Sequence, residues 1–137
     1  MQNNQYEYQH MLELSLIPKY LTLEEALDND YIVKQFLLSY NTERLDQFIY
    51  NVYNNTPDKI IIADYGIDSP SYSILQYIGN YIILTEKSFL DEEPRYHTYY
   101  GNKIKQQLGE KYNSSILYYY LITLDNLELQ IFNVRLM

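Results

Sequence analysis

Hydrophobic residues recur along the chain with two periods, one typical of helices and one typical of strands. The clearest helical stripe begins at Asn41 or Thr42, either of which is a suitable N-cap. Its hydrophobic members are Leu45, Phe48, Ile49, Val52 and Tyr53. Upstream, residues 22–25 read Thr-Leu-Glu-Glu and match a capping box, which predicts a short helix over about residues 23–28. We expect the first stripe to face the core.

The first twenty residues carry a weaker helical pattern. Hydrophobic side chains are loosely spaced at helical intervals until Pro18 interrupts them. They are Tyr6, Met11, Leu14 and Ile17. This pattern predicts a frayed arm or short helix over residues 1–20, followed by one α+β domain over residues 21–137.

Strand patterns dominate the middle of the chain. The segment 31–38 is rich in β-branched and aromatic residues and predicts one strand. Residues 60–63 are apolar without alternation, which is typical of a strand that is covered on both sides or lies at the sheet centre. Residues 72–78 and 81–85 flank Gly79-Asn80, a dipeptide that favours a tight turn, and therefore predict a β-hairpin.

The following segment predicts an acidic loop over Ser88 to Pro94, and residues 95–100 then predict a strand. Ile104, Leu108 and Tyr112 are four residues apart, and we expect them to lie on a short helix.

The C-terminal segment predicts a second hairpin, with residues 116–124 and 127–136 joined by a turn at Asp125-Asn126. Its apolar phase shifts between Ile131 and Phe132, which indicates a bulge or a change of partner face. Together these elements predict an α+β fold: an antiparallel sheet of five to six strands, a meander plus the C-terminal hairpin, with two to three helices packed on one face.

Composition excludes several classes of site and partner. The chain has no cysteine, which excludes disulfides, zinc–thiolate sites, iron–sulfur clusters and thiol nucleophiles. Its formal net charge of −8 opposes direct binding of nucleic acid. No apolar run is long enough to span a membrane.

We expect a cytoplasmic protein if Met1 is the native start, and an extracellular one if a signal peptide was removed.

Tyrosine is abundant, with 18 residues against 4 phenylalanines and no tryptophan. Tyrosine packs well on strands and is also enriched among the residues that dominate binding energy at interfaces. The tyrosines can therefore serve sheet packing, binding of a partner, or both.

Candidate catalytic and metal residues are few. The two histidines, His10 and His97, lie in separate contexts. The segment 28–30 reads Asp-Asn-Asp but lacks the glycine and the distal glutamate of a calcium-binding EF-hand, and no glycine spacing matches a phosphate-binding loop. We therefore predict no catalytic residue, no metal ligand and no cofactor.

One stretch stands out as a candidate binding surface. It joins an acidic segment and an aromatic residue to three residues that strand alternation places on one face. The members are Phe89, Asp91, Glu92, Glu93, Arg95, His97 and Tyr99. The leading hypothesis is a non-enzymatic protein-interaction module, of inhibitor or immunity type, whose acidic surface meets a partner protein that is basic.

The alternative hypothesis is a small-molecule-binding domain or hydrolase with an aromatic pocket near His97. A homodimer formed through an edge strand or the last hairpin fits both hypotheses.

The stretch from Asn41 to Val52, continued by residues 58–62 and 64–67, resembles a small uncharacterised Firmicute family known as domain of unknown function 4362. The likeness extends through residues 75–82 and covers about residues 41–101, roughly half of the chain. Members of that family are often predicted to be secreted lipoproteins, whereas this chain has no lipobox cysteine. The resemblance implies no catalytic residues.

Overall fold

A computed structural model describes residues 3–66 and 69–136 and shows an α+β protein built on one curled sheet. Its helices are Asn3–Ser15 (α1), Leu23–Asp28 (α2) and Thr42–Tyr53 (α3). Its strands are Ile32–Gln35 (β1), Leu38–Tyr40 (β2), Asp58–Tyr65 (β3), Pro70–Tyr77 (β4), Ile82–Leu90 (β5), Glu93–Lys111 (β6), Ser114–Thr123 (β7) and Glu128–Leu136 (β8). No helix among the described residues is long and apolar enough to cross a membrane.

The sheet has eight strands in the order β2-β1-β3-β4-β5-β6-β7-β8. All neighbouring pairs are antiparallel except β1 and β3, which run parallel. The sheet curls until its two edge strands meet. Strand β2 contacts β8, and the Ser39 hydroxyl donates to the Asn133 carbonyl oxygen at 3.4 Å. The result is a mixed, nearly closed, barrel-like sheet.

The predicted antiparallel sheet of five to six strands is therefore wrong. The segment 31–38 is not one strand, since a turn at Phe36-Leu37 separates β1 from β2. The chain then passes through α3 and returns in β3, and β3 pairs with β1 in parallel rather than with its nearest predecessor β2. A helix between two strands is the usual way to make such a parallel pair.

The short helix predicted on Ile104, Leu108 and Tyr112 is also wrong. Residues 93–111 form one strand of 19 residues, in which Ile104 pairs with Leu121 and Leu108 pairs with Leu117. Hydrophobic residues four apart lie on one face of a helix and equally on one face of a strand, so the spacing alone did not discriminate between the two.

Helices cover both faces of the sheet, which corrects the prediction of helices on one face. On one face α3 buries its stripe in the larger core, and on the other α1 and α2 cover a smaller core. Strand β3 contributes Ile60 and Ile62 to the first and Ala63 to the second, which confirms that it is covered on both sides. Tyr53 departs from the predicted stripe because it is 67% exposed.

Several local predictions are confirmed. The Thr22 Oγ1 accepts from the Glu25 backbone amide at 3.1 Å, while the Thr22 amide donates to the Glu25 carboxylate at 3.0 Å, so the capping box forms. Both predicted hairpins form, as β4–β5 and β7–β8. The register of β8 shifts between Gln130 and Phe132, where a bulge was expected. The weak N-terminal pattern is a helix, α1.

Candidate functional site

Helix α1 is attached to the sheet by a buried histidine. His10 is fully buried, and its Nε2–H donates to the Gln76 side-chain oxygen at 2.8 Å. Its Nδ1 then accepts the Thr85 hydroxyl proton at 2.9 Å. Burial lowers the pKa of His10 more than the hydrogen bond to Gln76 raises it, which favours the neutral ring seen in this arrangement.

A buried lysine satisfies the C-terminal end of the same helix. Lys87 of β5 is 4% exposed, and its Nζ donates to the carbonyl oxygens of Leu14 at 2.8 Å and Ile17 at 2.9 Å. The Leu14 carbonyl also accepts from the Ile17 amide at 3.1 Å, and Ile17 lies just after the helix, so Lys87 adds a second donor to the first carbonyl and ties down the segment that follows α1. A cation is favourable at a helix C-terminus. Desolvation lowers the pKa of Lys87. Neither His10 nor Lys87 has a local sequence signal for this role.

The outer side of α1 is apolar and exposed. Residues 8, 11, 12 and 15 occupy one helical stripe, opposite the buried residues 10, 14 and 17. The large exposed side chains on this helix and the segment after it are Tyr8 (65%), Met11 (41%), Leu12 (49%), Leu16 (84%) and Tyr20 (67%). We call these five residues the α1 apolar face. Tyr96 of β6 joins Tyr8, Met11 and Leu12 in lining a shallow groove of about 230 Å³.

An acidic turn lies beside this face. Strands β5 and β6 extend further than predicted, so the expected loop over 88–94 is a turn of two residues, Asp91 and Glu92, with φ of 51° and 72°. Lys19, which follows α1, pairs with Glu92, and its Nζ lies 5.2 Å from the ring centroids of both Tyr20 and Phe89. The turn therefore contacts the segment that follows α1. With Glu93 we call Asp91 and Glu92 the acidic turn.

The sequence-predicted candidates are divided between two faces of the sheet. Phe89 packs with the core under α1. Arg95, His97 and Tyr99 do share one face, as alternation predicted, but it is the opposite one, where Tyr99 packs against the core that contains α3. The seven candidates therefore do not form one patch.

His97 is exposed and pairs across the ladder with Glu86. Burial raises the pKa of Glu86, and the charge of His97 only partly opposes this shift. The neighbouring Tyr99 lines an open concavity of about 490 Å³ together with Leu124 and Leu127, and His97 is not among its lining residues. An aromatic pocket at His97 itself therefore stays a hypothesis.

A separate cavity of about 290 Å³ lies where β1 and β3 end, close to the tip of β6 and β7. Lys34 and Asp64, which are register partners in the parallel pair, both line it. Burial lowers the pKa of Lys34, although the charge of Asp64 opposes this. Burial raises the pKa of Asp64, and the charge of Lys34 opposes that shift. The site was not predicted, although a lysine directly after the apolar pair Ile32-Val33 was a signal for it.

Within the described residues, no group of three or more His, Asp or Glu side chains is placed to share a metal ion. Comparison with known proteins adds no relative: no family model, no curated protein and no solved structure matches the chain. The resemblance over residues 41–101 stays a prediction.

Proposed function

We propose that this protein is a non-enzymatic protein-interaction module, of inhibitor or immunity type, that docks on its partner through the α1 apolar face. The observation that carries the proposal is the exposed set of Tyr8, Met11 and Leu12 on a helix whose other side is buried against the sheet, continued by exposed Leu16 and Tyr20 after the helix. Contiguous exposed apolar surface is costly to maintain in water, and such patches commonly mark binding sites.

The composition of the face fits a docking role. Tyrosine is enriched among the residues that dominate binding energy, and burying one leucine or methionine side chain contributes about 1.5–3 kcal/mol. The face spans Tyr8 to Tyr20, and five of its side chains are at least 41% exposed. A partner that covers these side chains gains a part of this free energy from each, since Met11 and Leu12 are already more than half buried.

The helix is also held in place before binding. His10 and Lys87 attach α1 to β4 and β5 through four buried or half-buried hydrogen bonds. A binding surface that is already ordered avoids the entropic cost of ordering it in the complex.

Charge indicates what kind of partner fits. Helix α1 contains two glutamates and no lysine or arginine, and Glu92 of the acidic turn pairs with Lys19 in the segment that follows the helix. The whole chain carries a formal charge of −8. We therefore propose a partner surface that is apolar at its centre and basic at its rim, since complementary potentials accelerate encounter and select partners.

The test is affinity purification from the native-host lysate with three tagged proteins: the natural chain, a double variant Leu12→Ser and Leu16→Ser, and the control Leu108→Ser. Leu108 is matched because it is 64% exposed but lies on β6. We expect the natural chain and Leu108→Ser to retain the same basic protein, and the double variant to lose it. High salt should release this protein from both baits that bind it. Recovery of the same proteins with all three baits would refute docking through α1.

A further inference from the structure

The cavity at Lys34 shares no lining residue with the α1 apolar face, so it constitutes an independent candidate site. Its volume of about 290 Å³ is just below the roughly 300–1,000 Å³ typical of small-molecule sites. It is lined by side chains from both halves of the sheet, including Asp64 of β3 and Tyr118 of β7. A compact molecule rather than a polymer suits this space.

Lys34 is the central feature of the cavity. The residue is only 7% exposed, yet the single hydrogen bond found for its ammonium among the described residues is a long one, 3.4 Å to the Ser39 hydroxyl. An ammonium carries three donors, and a buried one normally has close acceptors. Asp64 lies on the neighbouring strand, but no ion pair within 4.0 Å joins the two described side chains. Lys34 therefore has unused capacity to donate to an anion in the cavity.

The local charge is opposite to that of the whole protein. Of the described residues that line the cavity, Lys34 and Lys111 are basic and Asp64 is acidic. This balance favours a monoanion, since a dianion would meet the carboxylate of Asp64 with too little opposing charge. The amide side chains of Gln130 and Asn133 add donors suited to a carboxylate.

Aromatic rings border the same space. The Tyr118 ring lies over Gly109, where an added Cβ would be 2.9 Å from Cε2 of the ring, so glycine makes room for it. Phe36 is 64% exposed at the edge of the cavity and has a φ of 55°, which a bulky residue rarely adopts. Phe36 lies in the two-residue turn between β1 and β2, where a positive φ is usual, and its side chain is left exposed at the cavity.

We propose that this cavity binds a small organic monoanion, a carboxylate whose charged group meets Lys34 and whose apolar part lies against Phe36 and Tyr118. This site would be additional to protein docking, and each function can fail without the other.

The test is a titration of the ¹⁵N-labelled full chain, followed by amide chemical shifts, with phenylacetate and with its neutral analogue phenylacetamide. A ligand of this size is expected to bind with a Kd of about 1 mM. We expect phenylacetate to shift amides around Lys34, Asp64 and Tyr118 in a saturable way, and phenylacetamide to bind about tenfold more weakly or worse.

Three variants identify the groups responsible. Lys34→Met is expected to weaken phenylacetate binding about tenfold or more, because it removes the charge-assisted hydrogen bond. Asp64→Asn is expected to strengthen binding, because it removes a like charge from the cavity, and it tests the site even if Lys34→Met fails to fold. Lys103→Met removes an exposed lysine from β6 and serves as the matched control, with binding unchanged.

Equal binding of the acid and the amide would overturn the proposal, as would unchanged affinity in Lys34→Met or the absence of saturable shifts. Inorganic phosphate is the third probe. If it shifts the same amides more strongly than phenylacetate does, the site recognises inorganic anions and the assignment of an organic monoanion is wrong.

Discussion

The Nζ of Lys87 lies 2.8 Å from the carbonyl oxygen of Leu14, so a side chain of β5 satisfies the end of a helix 73 residues earlier in the chain. A second bond from the same ammonium reaches Ile17 at 2.9 Å. This relationship holds the proposed docking helix against the sheet, and the first prediction follows from it.

Lys87→Met should detach the C-terminal end of α1. The substitution preserves length but removes the Lys87 donor from the Ile17 carbonyl, and an unsatisfied buried acceptor costs about 1–3 kcal/mol. The Leu14 carbonyl keeps its bond from the Ile17 amide at 3.1 Å. We expect the free energy of unfolding to fall by about 1–3 kcal/mol, because release of the desolvated charge offsets part of the loss. Urea denaturation measures this change, and amide hydrogen exchange should show faster opening of α1. Lys103→Met is the control, and an equal effect in both variants would contradict this role for Lys87.

His10 should make stability depend on pH. Its pKa is lowered from 6.5 in the folded state, chiefly by burial. The unfolded chain therefore takes up a proton as the pH falls through about 6.5, while the folded chain does so only at lower pH. The stabilisation is fully present above pH 6.5 and is lost as the pH falls towards the folded-state pKa, with a slope of up to about 1.4 kcal/mol per pH unit.

Charged neighbours of His10 change the size of this effect, because Lys59 lowers its pKa and Glu13 raises it. Urea midpoints measured at several pH values between 5 and 8 test the prediction. The His10→Gln variant should lose this component of the pH dependence, whereas His97→Gln should retain it. An identical pH profile in the natural chain and His10→Gln would show that His10 is not responsible.

The acidic turn should affect the rate of association more than the lifetime of the complex. Once a partner is identified, Asp91→Lys with Glu93→Lys should slow association at low ionic strength about tenfold. The slowing should largely disappear at high salt, since a Debye length of about 3 Å at 1 M screens exposed charges. Glu92 is left unchanged because it pairs with Lys19. Surface plasmon resonance separates the two rates, and unchanged association would exclude steering by this turn.

Gly101 should be intolerant of a side chain. A Cβ built there would lie 2.5 Å from the Ile122 carbonyl oxygen and 2.6 Å from the Leu121 Cδ1, and the oxygen belongs to the backbone and cannot rotate away. The register of β6 against β7 shifts at this point, so the two strands approach closely. We expect Gly101→Ala to reduce the free energy of unfolding by about 1–3 kcal/mol, as overpacking does. Gly66→Ala, whose nearest contact is 3.6 Å, is the control for thermal denaturation.

The binding surfaces were only partly visible in the sequence. The acidic turn and Phe89 could be identified because charged and aromatic residues lie next to one another in the chain. The α1 apolar face was not identified, because a helix that is apolar on two sides has no clear stripe, and only packing shows which side is buried. Likewise, the approach of Lys34 to Asp64 depends on a parallel pairing that the sequence pattern did not reveal.

Elements whose signals are local could be predicted from the amino-acid sequence alone. The Thr22–Glu25 capping box, the stripe of α3, the turn at Gly79-Asn80 and the bulge before Phe132 all depend on residues within a few positions of one another. Backbone geometry and short-range side-chain contacts are enough to specify such features.

Strand pairing and the sheet face that each helix covers became clear only in the three-dimensional fold. The parallel pairing of β1 with β3, the closure of β2 onto β8 and the burial of His10 against Thr85 join residues far apart in the chain. Hydrophobic burial is non-directional. The pattern of a strand therefore predicts that one of its faces is covered, but it does not predict which element covers that face. The partner is selected by the packing of the whole chain, and the proposed sites follow from that selection.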